Sequence, residues 1–232
     1  MIEFKNVQKK FGDKQVFRNL SFKINHQELL CLIGESGAGK TSIFNLLIGK
    51  EKFDHGDILI EGISISTLKG EYLQFYRRKV GMIFQDFKLI PHKTVFENIA
   101  FILEICGEKK ANIFTKVKKV LEIVKMEEKI GHFPHQLSGG EKQRVAVARS
   151  IIHQPKIILA DEATGNLDPE NTKIIIDILK YINVKMGITI VLATHNTQIL
   201  KYLNTRVLYL QNGEVRFDGK ADSYRQIVNQ LV

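Results

Sequence analysis

Gly34-Glu35-Ser36-Gly37-Ala38-Gly39-Lys40-Thr41-Ser42 places glycines, a lysine and a hydroxyl at the G-x-x-x-x-G-K-[ST] spacing. A loop of this kind grips phosphates, because backbone N–H groups reach an anion that bulkier side chains would hold away. Lys40 offers a point charge to the outer phosphates and Thr41 a hydroxyl to Mg²⁺. The apolar run Leu29-Leu30-Cys31-Leu32-Ile33 precedes the loop and a helical pattern follows it. The positive end of that helix then adds to the same anion site. A plain glycine turn is the alternative, and the strand before and helix after weigh against it.

Two further segments carry chemistry. Ile157-Ile158-Leu159-Ala160-Asp161-Glu162 reads as a buried strand ending in two carboxylates. On a parallel sheet those acids fall at the C-terminal edge, beside the phosphate loop. Asp161 there suits Mg²⁺, commonly through water, and Glu162 suits a general base that polarises an attacking water. Leu137-Ser138-Gly139-Gly140-Glu141 places a serine at a helix N-cap, with glycines that leave free N–H groups open to an oxyanion. Ser138 and Glu141 also have the spacing of a capping box. One chain thus carries two phosphate-binding helix starts far apart in sequence, which calls for an explanation.

The elements that must position these groups read as an α/β chain with a mostly parallel sheet. Strand-like runs are Ile2–Phe4, Phe22–Ile24, Leu29–Ile33, Ile58–Ile60, Val80–Phe84, Lys156–Asp161 and Ile188–Ala193, with a hairpin at Gln211-Asn212-Gly213-Glu214. Helices are expected around Tyr72–Lys79, from Gly140 to His153, and after Pro169. From Thr94 to about Val124 the periodicity is helical throughout, which reads as an insertion between strands. Val117, Val120, Leu121 and Val124 share its apolar face, so Lys116, Lys118 and Lys119 line a solvated one.

With 232 residues, 44% apolar and 25% charged, the composition is that of one globular unit. No run approaches the ~18 apolar residues of a membrane span. The N-terminus lacks a signal peptide's apolar segment, and two cysteines, Cys31 and Cys106, read as reduced thiols; a cytoplasmic address is the expectation. The net charge of +9 suits anionic company without naming it.

Taken in order and spacing, the phosphate loop, Gln85, Leu137-Ser138-Gly139-Gly140-Glu141, Asp161-Glu162, Asn166-Leu167-Asp168 and His195 resemble the ATP-binding-cassette ATPases over nearly the whole chain. The resemblance implies a P-loop NTPase core (1–84 and 156–232) with an N-terminal antiparallel β part and an inserted helical subdomain (85–155). It also implies that two chains pair head to tail, each ATP lying between one chain's Gly34–Ser42 and the other's Ser138, Gly139 and Gly140. Phe11 then stacks on adenine with Val16 nearby; the family commonly has tyrosine at the former position. Gln85 ligates Mg²⁺ together with Thr41 and Asp161, His195 meets the γ-phosphate, Glu162 is the base, and Asp168 communicates across the dimer. Without the family, Phe11 reads as a core aromatic, Gln85 as a surface amide and His195 as a neighbour of a helix cap. Ala163 replaces the family's usual proline after the acids, which leaves both acids intact.

Within the family, Gln85-Asp86-Phe87, Leu89-Ile90-Pro91, Lys93-Thr94-Val95 and Glu97-Asn98-Ile99-Ala100-Phe101 are similar to the cell-division ATP-binding proteins of the FtsE type. That implies an FtsX-like integral membrane partner and a place on the cytoplasmic face of the membrane. ATPases of lipoprotein-release and macrolide-export systems are the alternative. Nucleic-acid-directed relatives carry a long coiled coil or two cassettes per chain, so no specific nucleic-acid partner is expected. A scaffold that binds ATP without hydrolysing it is disfavoured by Glu162 and His195.

Overall fold

Two long antiparallel strands, β1 (Ile2–Phe11) and β2 (Lys14–Ile24), open the chain in the computed structural model, which describes residues 1–230. They pair with β4 (His55–Ile60) and β5 (Ile63–Ser64) in a four-stranded antiparallel sheet of order β2-β1-β4-β5. Between β2 and β4 lie β3 (Leu29–Gly34) and α1 (Lys40–Leu47). After β5 come α2 (Gly70–Arg77), β6 (Val80–Ile83), α3 (Val95–Ile105), α4 (Lys110–Val124) and α5 (Gly139–Ile151). The chain continues through β7 (Ile157–Asp161), α6 (Pro169–Met186), β8 (Thr189–Thr194), the hairpin β9 (Arg206–Gln211) and β10 (Glu214–Lys220), and α7 (Ala221–Gln230).

The second sheet has order β10-β9-β3-β8-β7-β6, parallel from β9 to β6 and antiparallel only at the hairpin. β3, β7 and β8 are buried on both faces, as parallel strands covered on both sides must be, whereas the edge strand β10 has no buried residue. Alternation along each strand sorts the side chains into two cores. Cys31, Ile33, Ile158, Ala160, Ile190 and Leu192 face α3–α6. Leu30, Leu32, Ile157, Leu159, Val191 and Ala193 face α1 and the antiparallel sheet. Burial pushes the Cys31 thiol up to about 12, so it is an inert core group.

Several expected boundaries shift. The helical periodicity from Thr94 to Val124 is broken at Cys106–Lys109 into α3 and α4, two helices that pack on α5. A 3.6-residue period counts apolar positions and does not detect a turn that keeps the same face buried. The helix expected from Gly140 to His153 starts at Gly139 and stops at Ile151, ahead of Gln154 in the left-handed region (φ 53°). The one expected at Tyr72–Lys79 starts at Gly70 and ends at Arg77. The hairpin turn stands where expected, with Asn212 and Gly213 both at positive φ (51° and 75°), the geometry of a two-residue turn. α7 and β5 have no clear pattern in the sequence and come as additions.

Candidate active site

Strand order decides the site. β3, β8, β7 and β6 are consecutive neighbours and parallel, so their C-terminal ends share one edge. From that edge emerge the loop Gly34–Lys40, His195, the pair Asp161-Glu162, and Gln85. A cleft of about 440 Å³ on this edge is lined by Phe11, Val16, Ser36, Gly37, Gly39, Lys40, Thr41, Ser42, Gln85, Glu162 and His195. Glu35 and Ala38 line an adjoining recess instead, and Gly34 lies against Leu210.

Gly39 sits at φ 106° directly before α1, and a Cβ there would lie 2.6 Å from the buried Phe17 ring. Only glycine permits both the dihedral and the approach. Lys40 is 6% exposed and turns back into its own loop. Its ammonium donates to the Gly34 carbonyl (2.7 Å) and the Glu35 carbonyl (3.1 Å), and lies 3.4 Å from Glu162 Oε1. The other Glu162 oxygen, Oε2, is 3.0 Å from His195 Nδ1. Glu162 is thus a carboxylate held between a cation and an imidazole.

Glu162 has a left-handed backbone, φ 49°, an uncommon state for a residue with a Cβ. Two hydrogen bonds hold it there. Its N–H donates to the Ala193 carbonyl at the end of β8, and its carbonyl accepts from the Gly165 N–H, each at 3.0 Å. Nothing in the sequence marks this conformation.

Asp161 accepts a hydrogen bond from the Thr41 hydroxyl through Oδ2 (2.9 Å), while its Oδ1 is buried with no hydrogen-bond partner. Burial raises its carboxyl above the ordinary value; the Thr41 bond opposes this, the Glu162 charge adds to it and Lys40 offsets part. A buried carboxylate oxygen without a donor matches a hard cation, which prefers oxygen ligands. No group of three or more His, Cys, Asp or Glu placed so as to hold a metal ion by themselves occurs among the described residues. A donor set this sparse fits Mg²⁺, which takes one or two protein ligands alongside substrate phosphates. Gln85 lines the same cleft, its Nε2 at 3.5 Å from Asn166 Oδ1.

Phe11 is 44% exposed at the cleft rim, with the Lys9 ammonium 4.7 Å from its ring centre. An aromatic left open in this way is available for stacking, unlike a core ring.

Ser138, Gly139, Gly140 and Asp168 do not line this cleft. Ser138 caps α5 with a full capping box: its Oγ accepts from the Glu141 N–H (3.2 Å) and its N–H donates to Glu141 Oε2 (2.8 Å). That N–H holds the Glu141 carboxyl below its usual range. Gly140 is buried against the start of α6, where a Cβ would meet Asn171 Oδ1 at 2.0 Å. Asn171 in turn donates through its backbone N–H to Asp168 Oδ1 (2.8 Å) and through Nδ2 to Oδ2 (2.6 Å). These bonds, the backbone one foremost, lower the Asp168 carboxyl. Close packing is therefore itself a reason for glycine at 140. The Asp-x-x-Asn spacing at a helix start is a legible cap signal for Asn171; its contact with Gly140 has none.

Residues 17–165 match the family described as ABC transporter. The chain belongs to that family. It is similar over 225 residues to the cell-division ATP-binding protein FtsE of Streptococcus pneumoniae, 41% identical over 97% of each chain. It is as similar to the methionine import ATP-binding protein MetN of Clostridium acetobutylicum, 41% identical over 96% of this chain and 70% of the relative. Among solved structures, the dimeric post-hydrolysis state of the ATP-binding cassette MJ0796 bound to ADP and Pi superposes with a TM-score of 0.84. It is 33% identical and covers 95% of this chain and 99% of that one. The protein is an ABC-type ATPase that binds and hydrolyses ATP. No helix among the described residues is long and apolar enough to cross a membrane.

Proposed function

We propose that ATP binds with its phosphates in the Gly34–Ser42 loop and its adenine on Phe11 beside Val16, and that a second copy completes the site with its Ser138, Gly139 and Gly140. The observation that carries this reading is the split itself. The chain has two helix starts suited to phosphate, and the second lies outside the cleft that holds the first. Head-to-tail pairing of two copies brings one of each kind to each ATP.

Within the site, Lys40 leaves its carbonyl partners for the phosphates, which then compensate its charge more strongly than two amide oxygens. Thr41, Asp161 and Gln85 hold Mg²⁺, which when bound neutralises charge on the phosphate oxygens. Glu162, freed from Lys40 as that cation turns to the phosphates, accepts the proton of the attacking water, while His195 contacts the γ-phosphate and orients the Glu162 carboxylate. Asp168 reports across the dimer. Hydrolysis removes the anion that bridges two positive surfaces, and the copies part. Residues 85–155 act as a helical subdomain that carries this motion against a core of 1–84 and 156–232.

The output is a separate integral membrane protein on whose cytoplasmic side the dimer sits, in the manner of FtsE with FtsX in cell division. What supports this choice is the resemblance of the segment from Gln85 to Phe101 to the FtsE type; its residues also form a tightly determined turn. Asn98, buried at 1% exposure, takes the Ile90 N–H on Oδ1 (2.7 Å) and donates to the carbonyls of Ile90, Lys93 and Thr94. An import ATPase of the MetN kind is the second reading, favoured by equal identity.

Glu162→Gln should stop turnover and leave a stable dimer with Mg²⁺ and ATP, measured by light scattering. A Glu162→Gln chain that stays single at saturating nucleotide would end the split-site reading. The membrane protein that co-purifies decides the biological role: four spans with a large external loop supports cell division, and a permease without such a loop supports import.

A further inference from the structure

Phe11 ends β1 just before the Gly12-Asp13 turn, and its ring stands 44% exposed at the cleft rim. A phenyl ring has no hydroxyl through which a hydrogen bond could fix it, and exposed side chains change rotamer within nanoseconds. A ring that presents one face to a base therefore needs something to hold it. Lys9 stands two residues earlier on the same strand. Its ammonium lies over the Phe11 ring, 4.7 Å from the centroid. That is inside the ~6 Å within which a cation is attracted to an aromatic face. Lysines at a surface usually keep their heads in water, yet this side chain is only 12% exposed. Asp54, just ahead of β4, gives the reason. Its Oδ2 accepts the Lys10 N–H (2.6 Å), its own N–H donates to the Gln8 carbonyl (2.9 Å), and its Oδ1 lies 3.9 Å from the Lys9 ammonium. The carboxylate is thus fixed by the residues on either side of Lys9. An ion pair this long adds little stability, but it gives the ammonium a direction.

Lys9 does not itself line the cleft to which Phe11 and Lys14 contribute. We infer that Lys9 is a positioning residue for ATP binding: directed by Asp54, its ammonium covers the Phe11 ring face turned from the cleft and leaves the other face ready for the base. Ordering the ring beforehand removes a loss of freedom that binding would otherwise impose. A cation behind the ring also draws off negative charge that two stacked faces would otherwise oppose. The inference rests on the proposed stacking of adenine on Phe11.

The test uses the purified full chain and a fluorescent ATP analogue displaced by two competitors: ATP, and inorganic triphosphate, which has the charge without the base. Lys9→Met keeps an unbranched stem and removes the ammonium. Its affinity for ATP should fall about two- to fivefold, the strength of a cation over an exposed ring, while its affinity for inorganic triphosphate stays the same. In turnover, the KM for ATP should rise with kcat unchanged, because the ring meets the base alike before and during hydrolysis. Lys9→Arg should keep the original affinity, since a guanidinium also lies over an aromatic face. Phe11→Ala should weaken ATP about tenfold and spare inorganic triphosphate, and Lys9→Met added to it should cause no further loss. The chain has no tryptophan, so Phe11→Trp places a single indole at the rim. Before any nucleotide is added, its fluorescence anisotropy should fall when Lys9→Met joins it, which reads the hold on the ring directly. Equal losses of ATP and inorganic triphosphate, a gain in ATP affinity, or an anisotropy that does not fall would each overturn the inference while leaving the role of Phe11 standing. Unchanged ATP affinity in Phe11→Ala would instead remove that role, and the inference with it.

Discussion

Glu162 combines the carboxylate proposed as the base with a left-handed backbone, and the two can be separated by comparing Glu162→Ala with Glu162→Gly. Both remove the carboxylate, its contact with Lys40 and its bond to His195. Both should therefore lose about 10²–10⁴ in kcat, the usual worth of a positioned base. They differ only in what the backbone at φ 49° demands. A Cβ in that region costs about 1–2 kcal/mol, which glycine escapes. Glycine also gains unfolded-state freedom worth about 0.5–1 kcal/mol, which works against it. The difference leaves glycine ahead by roughly 1 kcal/mol, or about 2–4 °C in melting temperature for a chain of this size. Thermal melts without nucleotide, run beside phosphate-release assays, read both quantities. Alanine as stable as glycine would mean that Glu162 stores no strain. Ordinary turnover in either variant would mean that it is not the base.

Lys40→Ala should weaken nucleotide binding itself by about tenfold or more, because the charge proposed to turn to the outer phosphates is lost; a fluorescent-nucleotide titration with unchanged affinity would refute its role. Asp161 binds a proton more tightly folded than unfolded, so its contribution to stability falls as pH rises from the ordinary 3.8 through its raised folded value. Asp161→Asn should consequently raise the melting temperature at neutral pH without nucleotide or Mg²⁺, with a gain that shrinks as pH drops toward 3.8; a gain independent of pH would contradict burial of the carboxylate as the cause. Gly140→Ala forces a Cβ onto Asn171 and should cost about 1–3 kcal/mol of stability, while Asn171→Ala in the same chain should recover most of it, as paired denaturation curves would show.

The chemistry was legible in the sequence because it is local. A glycine loop between strand and helix, two acids at the end of an apolar run, and a serine cap before glycines are each written within a dozen residues, and backbone geometry gives each its meaning without help from afar. The Asn212-Gly213 turn was readable for the same reason. Tertiary structure alone decided strand order, which places His195, Glu162, Gln85 and the phosphate loop on one edge although they are spread along most of the chain. It also decided the left-handed backbone at Glu162 and the wedge of Asn171 against Gly140. These depend on which distant backbone group happens to lie within hydrogen-bond or van der Waals reach once the sheet has formed, and a residue's own type and neighbours carry no record of that distance.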